Sequence, residues 1–282
     1  MQTIKKAKNK LIIPVKINSQ PPKKESEPKS QVEYNISGSI MHSVGIFSAY
    51  NKEKTNGSRK ALIISCTYNI LKNPETDIDA ISNLLNALGF DTEILNENNK
   101  NTIQPTKQNV INLFNQYIKS AKPDDTIFIY YSGKNEETDY EKITLMDGEI
   151  KSDELNQLLV LNLPNDVKLR LLFDCNFNNS ALNLPYVYDN NNNSTLLNKD
   201  VILISGSEIK INHKELVNKQ YTGAITWAYV LSIQKLHIGG SSKWNWKDLI
   251  YQMRYQLISN GFKQMPILET CSPIYLNYGI FM

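Results

Sequence analysis

The stretch Thr126-Ile127-Phe128-Ile129-Tyr130-Tyr131-Ser132-Gly133 is a short block of bulky residues that stops at a serine and a glycine. A continuous apolar run of this length, bounded by turn formers, reads as a strand covered on both faces. Two more runs have the same form. Lys168-Leu169-Arg170-Leu171-Leu172-Phe173 ends in Asp174-Cys175-Asn176, and Val201-Ile202-Leu203-Ile204 ends in Ser205-Gly206-Ser207. Ala61 to Cys66 opens the series, with a shorter strand at Thr92 to Leu95. Helical spacing fills the intervals. Asp77 to Leu88 sets Ile78, Ile81, Leu84, Leu85 and Leu88 on one face, and Gly89 ends it. Thr106 to Ala121 does the same with Val110, Leu113, Phe114, Tyr117 and Ile118. Further helices are expected from Ser152, capped by its own hydroxyl, from about Gly223 to Gln234, and from Trp246 to Ser259; Ile274 to Phe281 supplies a last strand. Such alternation calls for a mostly parallel sheet with helices on both faces. In these sheets chemistry collects beyond the carboxyl ends of the strands. The ends at Tyr131–Lys134, Phe173–Asn176 and Ile204–Ser207 should lie side by side.

Composition leaves room for one such domain and an appendage. The chain has 282 residues, 41% hydrophobic and 21% charged, enough for a sizeable core. No apolar run is long enough to span a bilayer. Residues Met1 to Lys10 are polar and basic, unlike a secretory signal. Cys66, Cys175 and Cys271 form neither a metal-binding pair nor a disulfide framework, which points to reduced thiols and a cytoplasmic protein. Residues 1–59 hold 11 basic against 4 acidic side chains, a net of +7, whereas the remaining 20 basic and 24 acidic give −4. The Gln20 to Ser30 stretch has the composition of a solvated linker. Without interleaved aromatics it gives no sign of a specific nucleic-acid partner. The division is therefore a basic tail, residues 1–56, of which 40–50 are apolar enough to pack on a domain, and the domain itself, residues 57–282. Asn190 to Asn193 reads as loop.

The three strand ends, in this order, resemble the type I metacaspases, members of the caspase-like cysteine peptidase superfamily. In that family the third strand ends in Tyr-Ser-Gly-His-Gly and the fourth in Asp-Ser-Cys-His-Ser-Gly or Asp-Cys-Cys-His-Ser-Gly. The resemblance extends to Lys60–Ile64, to Ser180-Ala181-Leu182-Asn183-Leu184-Pro185-Tyr186-Val187-Tyr188, to Thr222–Thr226, to Gln264–Leu268 and to Ile280–Met282. It covers about residues 57–282. It implies a caspase-like three-layer α/β/α sandwich around a six-stranded, mostly parallel sheet.

The departures bear on function. Threaded onto the motif, Lys134 stands where the family has its general base and Asn176 where it has its nucleophile. A cysteine peptidase needs a thiolate to attack and an imidazole to carry the proton. A carboxamide is no nucleophile, and a lysine of ordinary pKa does not cycle as a base. Cys175, adjacent to the lost position, is the fallback nucleophile, with His213 as a distant base; strand alternation turns Cys175 away from the groove that Asn176 lines. The family's calcium positions read Ser152, Asp153 and Asn183 here, so calcium binding is expected to be lost and no cofactor is implied. The alternative is that Asp147, Glu149, Asp153 and Glu154 simply form a solvated acidic face.

One part of the machinery persists. The family holds the Arg or Lys of its substrates with residues that correspond to Asp174, Ser132 and, by a looser alignment, Asp77. The same carboxylates could instead cap turns and helix starts. The resulting expectation is an inactive metacaspase-like pseudoprotease that binds or regulates a protein or peptide partner with basic side chains. The alternative is an active Arg/Lys-specific endopeptidase using Cys175.

Overall fold

A computed structural model gives the fold and describes residues 57–66, 74–133, 141–177, 180–189, 195–207, 215–217, 220–238, 244–262 and 264–280. In chain order the elements are β1 (Arg59–Cys66), α1 (Pro74–Ala87), β2 (Asp91–Asn96), α2 (Lys107–Ser120), β3 (Thr126–Gly133), and the hairpin β4 (Lys142–Leu145) and β5 (Gly148–Lys151). The short α3 (Ser152–Leu155) then continues as a π-helical turn, Asn156–Leu161. There follow β6 (Lys168–Phe177), β7 (Tyr186–Val187), β8 (Asp200–Ser207), the hairpin β9 (Glu215–Val217) and β10 (Gln220–Thr222), α4 (Ala224–Ile238), α5 (Trp246–Ser259), β11 (Pro266–Thr270) and a 3-10 turn, Pro273–Asn277.

The main sheet runs β2-β1-β3-β6-β8-β11-β7. Its first five strands are parallel; β11 lies antiparallel to β8, and β7 antiparallel to β11. Both faces are buried, which is why these strands are continuous apolar runs rather than alternating ones. Along β1, Ala61 and Ile63 enter one core with α1, α4 and α5, while Leu62, Ile64 and Cys66 enter the other with α2 and α3. The five residues expected on the inner face of α2 are all buried there, and Thr106 caps that helix by accepting from the Asn109 N–H at 3.3 Å.

The three-layer sandwich is as expected, but among the described residues the sheet has seven strands, not six. The last strand is not Ile274–Phe281. Pro273 presets the first position of a 3-10 turn, and within it Ile274 is 55% exposed while Leu276 is buried. The sixth place belongs to β11, paired with β8 from Pro266↔Gly206 to Thr270↔Ile202, and the two-residue β7 adds a seventh. Ser152 does open a helix, but not as its own cap: Lys151 is the N-cap residue and the Ser152 hydroxyl is buried without a partner. Residues 1–56, Lys134 and His213 lie outside the described residues.

Candidate functional site

The carboxyl ends of β3, β6 and β8 are neighbours in the sheet, and the register places Ser65, Ser132 and Asp174 in one row across β1, β3 and β6. Pairing between β6 and β8 is then interrupted. Phe173 faces Ser205, but the next pair is Asn176 with Gly206, so Asp174 and Cys175 form a bulge. Bulges re-aim side chains and bend the strand. This one pushes the Cys175 carbonyl so close to β8 that a Cβ on Gly206 would stand 2.8 Å from its oxygen. Only glycine fits there without a shift.

Asp174 faces the start of α4. Its Oδ2 accepts from the Thr226 N–H at 2.8 Å and from the Thr226 hydroxyl, and the Ile225 N–H contributes as well. Any side chain at Gly223 would collide with this carboxyl. The Tyr130 hydroxyl lies 2.8 Å from Thr226 Oγ1. Because Thr226 spends its one proton on Asp174, Tyr130 is the donor of that pair. Asp77, on α1 and 1% exposed, accepts from the Gly223 N–H at 2.9 Å. Two carboxylates from different elements thus converge on the positive end of one helix, where N–H groups lack intrahelical partners. Burial pushes the Asp174 pKa up, against the pull of the Thr226 and Ile225 hydrogen bonds. Burial, then Asp77 and Asp174, push the Tyr130 hydroxyl well up, so it stays a neutral donor. Asp77, Ser132 and Asp174 are therefore brought into one neighbourhood, with Ser132 buried at the end of β3.

Of the other predicted positions, Asn176 is placed by its backbone as the last residue before Phe177 in β6. Cys175 is buried in the α2-side core with Phe173 and Phe177, as alternation along the strand requires. Burial and the nearby Asp174 push its thiol well above the ordinary range, so it resists forming a thiolate.

Ser152, Asp153 and Asn183 also come together. The Asn183 side chain donates to Asp153 Oδ1 at 2.7 Å from a residue with φ of 49°. A carboxylate only accepts, so the amide must present its nitrogen. A calcium ion needs converging oxygens; here a donor fills the place of one and the Ser152 hydroxyl is enclosed. The remaining acids have partners of their own. Asp147 caps α2 through the Lys107 N–H at 2.6 Å, Glu149 pairs with Lys142 at 2.5 Å, and Glu154 with Lys107 at 3.1 Å. Among the described residues no group of three acidic, His or Cys side chains could hold a metal. These residues do not fit calcium. Millimolar Ca²⁺ is accordingly expected to leave the melting temperature unchanged, whereas a specific site at a hundred times its Kd would add about 2.7 kcal/mol. A rise with Ca²⁺ but not Mg²⁺ in differential scanning calorimetry would overturn this.

Sequence reasoning missed the Tyr130–Thr226–Asp174 chain, the bulge, and the buried Glu269 on β11. Asp174 is named in the sequence as a pocket residue or a cap, and Thr222–Thr226 only as part of a resemblance; what joins them is the Thr226 contact across fifty-two residues.

The arrangement is that of the caspase-like fold. The solved structure of pro-sf-caspase-1 superposes with a TM-score of 0.50 at 12% identity, covering 78% of this chain and 94% of that one. The family model for the metacaspase, peptidase C14 domain matches residues 59–185. Metacaspase-1 of Coccidioides immitis is 25% identical, over 86% of this chain and 68% of its own. Metacaspase-1 of Ajellomyces capsulatus is 31% identical, over 50% of this chain and 46% of its own. Residues 59–185 are thus similar to the metacaspase peptidase domain, on a caspase-like fold. Among the described residues no helix is long and apolar enough to cross a membrane.

Proposed function

We propose that this chain is a catalytically inactive metacaspase-like protein that binds, through the ends of β3 and β6, a protein or peptide carrying a basic side chain. The observation that carries the reading is the contrast within one strand end. Asp174 is kept beside Ser132 and Asp77, while the following residues are a buried thiol and, at Asn176, a carboxamide. Two carboxylates can hold a guanidinium by charge-assisted hydrogen bonds. Removal of a catalytic nucleophile or its base costs on the order of a millionfold in turnover. Residues 1–59 carry +7 against −4 for the rest, so the tail is itself a basic segment whose influence the test below removes. Tethering gives it an effective concentration in the millimolar range. Expression and action in the cytoplasm belong to this reading.

The test pairs catalysis with binding. Arg- and Lys-terminated fluorogenic peptides are expected to remain uncleaved by the natural chain and by Asn176→Cys, since Lys134 cannot replace an imidazole. Activity in the natural chain that Cys175→Ser abolishes would sink the proposal. An Arg peptide should bind more tightly once residues 1–56 are removed. Asp174→Asn, which keeps an oxygen acceptor for α4, should then weaken that binding without loss of fold. Unchanged affinity would reduce the pocket to helix capping alone.

A further inference from the structure

We propose that the segment Ser180–Val187 is a pH-operated flap, joining the end of β6 to the edge of the sheet and latched by the buried Glu269 side chain beneath it. Glu269 sits in the middle of β11, 0% exposed, opposite Leu203 of β8 and Val187 of β7. Both carboxyl oxygens are buried, with only the Ser180 hydroxyl and the Ala181 N–H of the covering segment turned toward them, neither in full hydrogen-bond geometry. The Ser180 hydroxyl and Ala181 N–H favour the charged form a little, but burial outweighs them and pushes the carboxyl up to about 8. The Ser180 hydroxyl already accepts from the Leu184 N–H at 2.9 Å and the Leu182 N–H at 3.3 Å.

The groups that face Glu269 from each packed element offer no compensation. On β8 they are Leu203 and the diagonal Ser205, whose hydroxyl is itself buried and unpaired. On β7 it is Val187, since Tyr186 pairs with Thr270 on the other face; on its own strand the neighbour two residues on is the buried thiol of Cys271. Asp200 and Lys199 act on Cys271, and Asp174 on Cys175, yet among the described residues no charged group acts on Glu269. Beyond the weak help of Ser180 and Ala181, which burial outweighs, an ionised Glu269 is therefore relieved by water.

The cheapest way to admit it is to lift the cover. Ser180–Val187 is held by a two-residue strand, by the Asn183–Asp153 contact, by the Asn156 amide donating to the Leu182 carbonyl at 2.6 Å and, just beyond its end, by the Tyr188 N–H donating to the Leu268 carbonyl at 2.8 Å. The strands β1, β3 and β6 lie in the middle of the sheet with long parallel ladders and are not free to part. Lifting the flap exposes a carboxyl that then ionises near 4.5, while in the closed form it holds its proton to about 8. The opening constant should thus rise about tenfold per pH unit between those values and level off above them. The flap is independent of whether the neighbouring strand ends bind or cleave.

The experiment is hydrogen exchange read by mass spectrometry on the full chain from pH 5 to 9, corrected for base-catalysed intrinsic exchange. Peptides covering 180–187 should lose protection about tenfold per unit up to pH 8, while those from β1 and β3 hold theirs. In Glu269→Gln the profile of 180–187 should be flat, and Glu269→Leu should repeat that result if the amide is poorly accommodated. Equal slopes in the natural chain and both variants, a flat natural profile, or the same loss in β1 and β3, would each overturn the proposal.

Discussion

Arg170→Ala is expected to lower the stability of the fold by about 3–5 kcal/mol, the usual cost of stranding one charge of a buried pair. The guanidinium is bidentate on Asp200, Nη1 to Oδ1 at 2.7 Å and Nη2 to Oδ2 at 3.1 Å, with Nη1 also donating to the Asp200 and Leu169 carbonyls. Its side chain is 3% exposed and that of Asp200 14%, so little water remains to solvate what is left behind. The cation also lies over the Trp246 ring, 5.4 Å from its centroid, which ties β6 to the first turn of α5. Arg170→Lys keeps the charge but loses the fork and the stacking, and should recover only part of the loss. Joint replacement of Arg170 and Asp200 by apolar residues of similar volume should cost far less than the single change, because no charge is stranded. Urea unfolding of the three variants measures this. A loss below about 1 kcal/mol for Arg170→Ala would mean that the pair behaves as a surface ion pair.

Nothing in the local sequence announces that pair. Arg170 is one basic residue inside an apolar strand, and its partner is thirty positions away at the first residue of β8; only the Lys168↔Asp200 register brings them together. The same distinction runs through the whole fold. Strands β1, β3, β6 and β8 were legible because burial on both faces demands unbroken apolar runs, and α2 because its five inward residues repeat at helical spacing. The site was legible as a location, since strand ends can be read, but not as a network. The capping of α4 by Asp174 and Asp77 depends on a helix start some fifty and a hundred and fifty residues further on, as with the 2.9 Å contact from Gly223 to Asp77. Strand β11 was hidden for a different reason. Pro266-Ile267-Leu268-Glu269-Thr270 contains a residue type that almost never occupies a buried strand, whereas Ile274-Tyr275-Leu276 imitates one. A pattern reader prefers the second; the fold buries the first.

The cost of burying that glutamate is the second large expectation. The folded state holds the Glu269 proton to about 8 against 4.5 for an ordinary glutamate, so between these values it binds more protons than the unfolded chain. Stability must then fall as pH rises through that window, by about 1.4 kcal/mol per unit. The full contribution is present below pH 4.5 and gone above about 8. Glu269→Gln presents a neutral side chain of nearly the same shape at every pH. It should exceed the natural chain by less than about 1 kcal/mol at pH 5, by about 3 at pH 7 and by about 4 at pH 8. Asp174, pushed up by burial as well, bends both curves in the same direction, so the difference between them isolates Glu269. Urea midpoints at pH 5, 6, 7 and 8, with unchanged slope against denaturant to show that the compactness of both states is the same, give the comparison. Parallel curves for the two proteins would mean that Glu269 is ionised and solvated in the folded chain, and that β11 does not bury it.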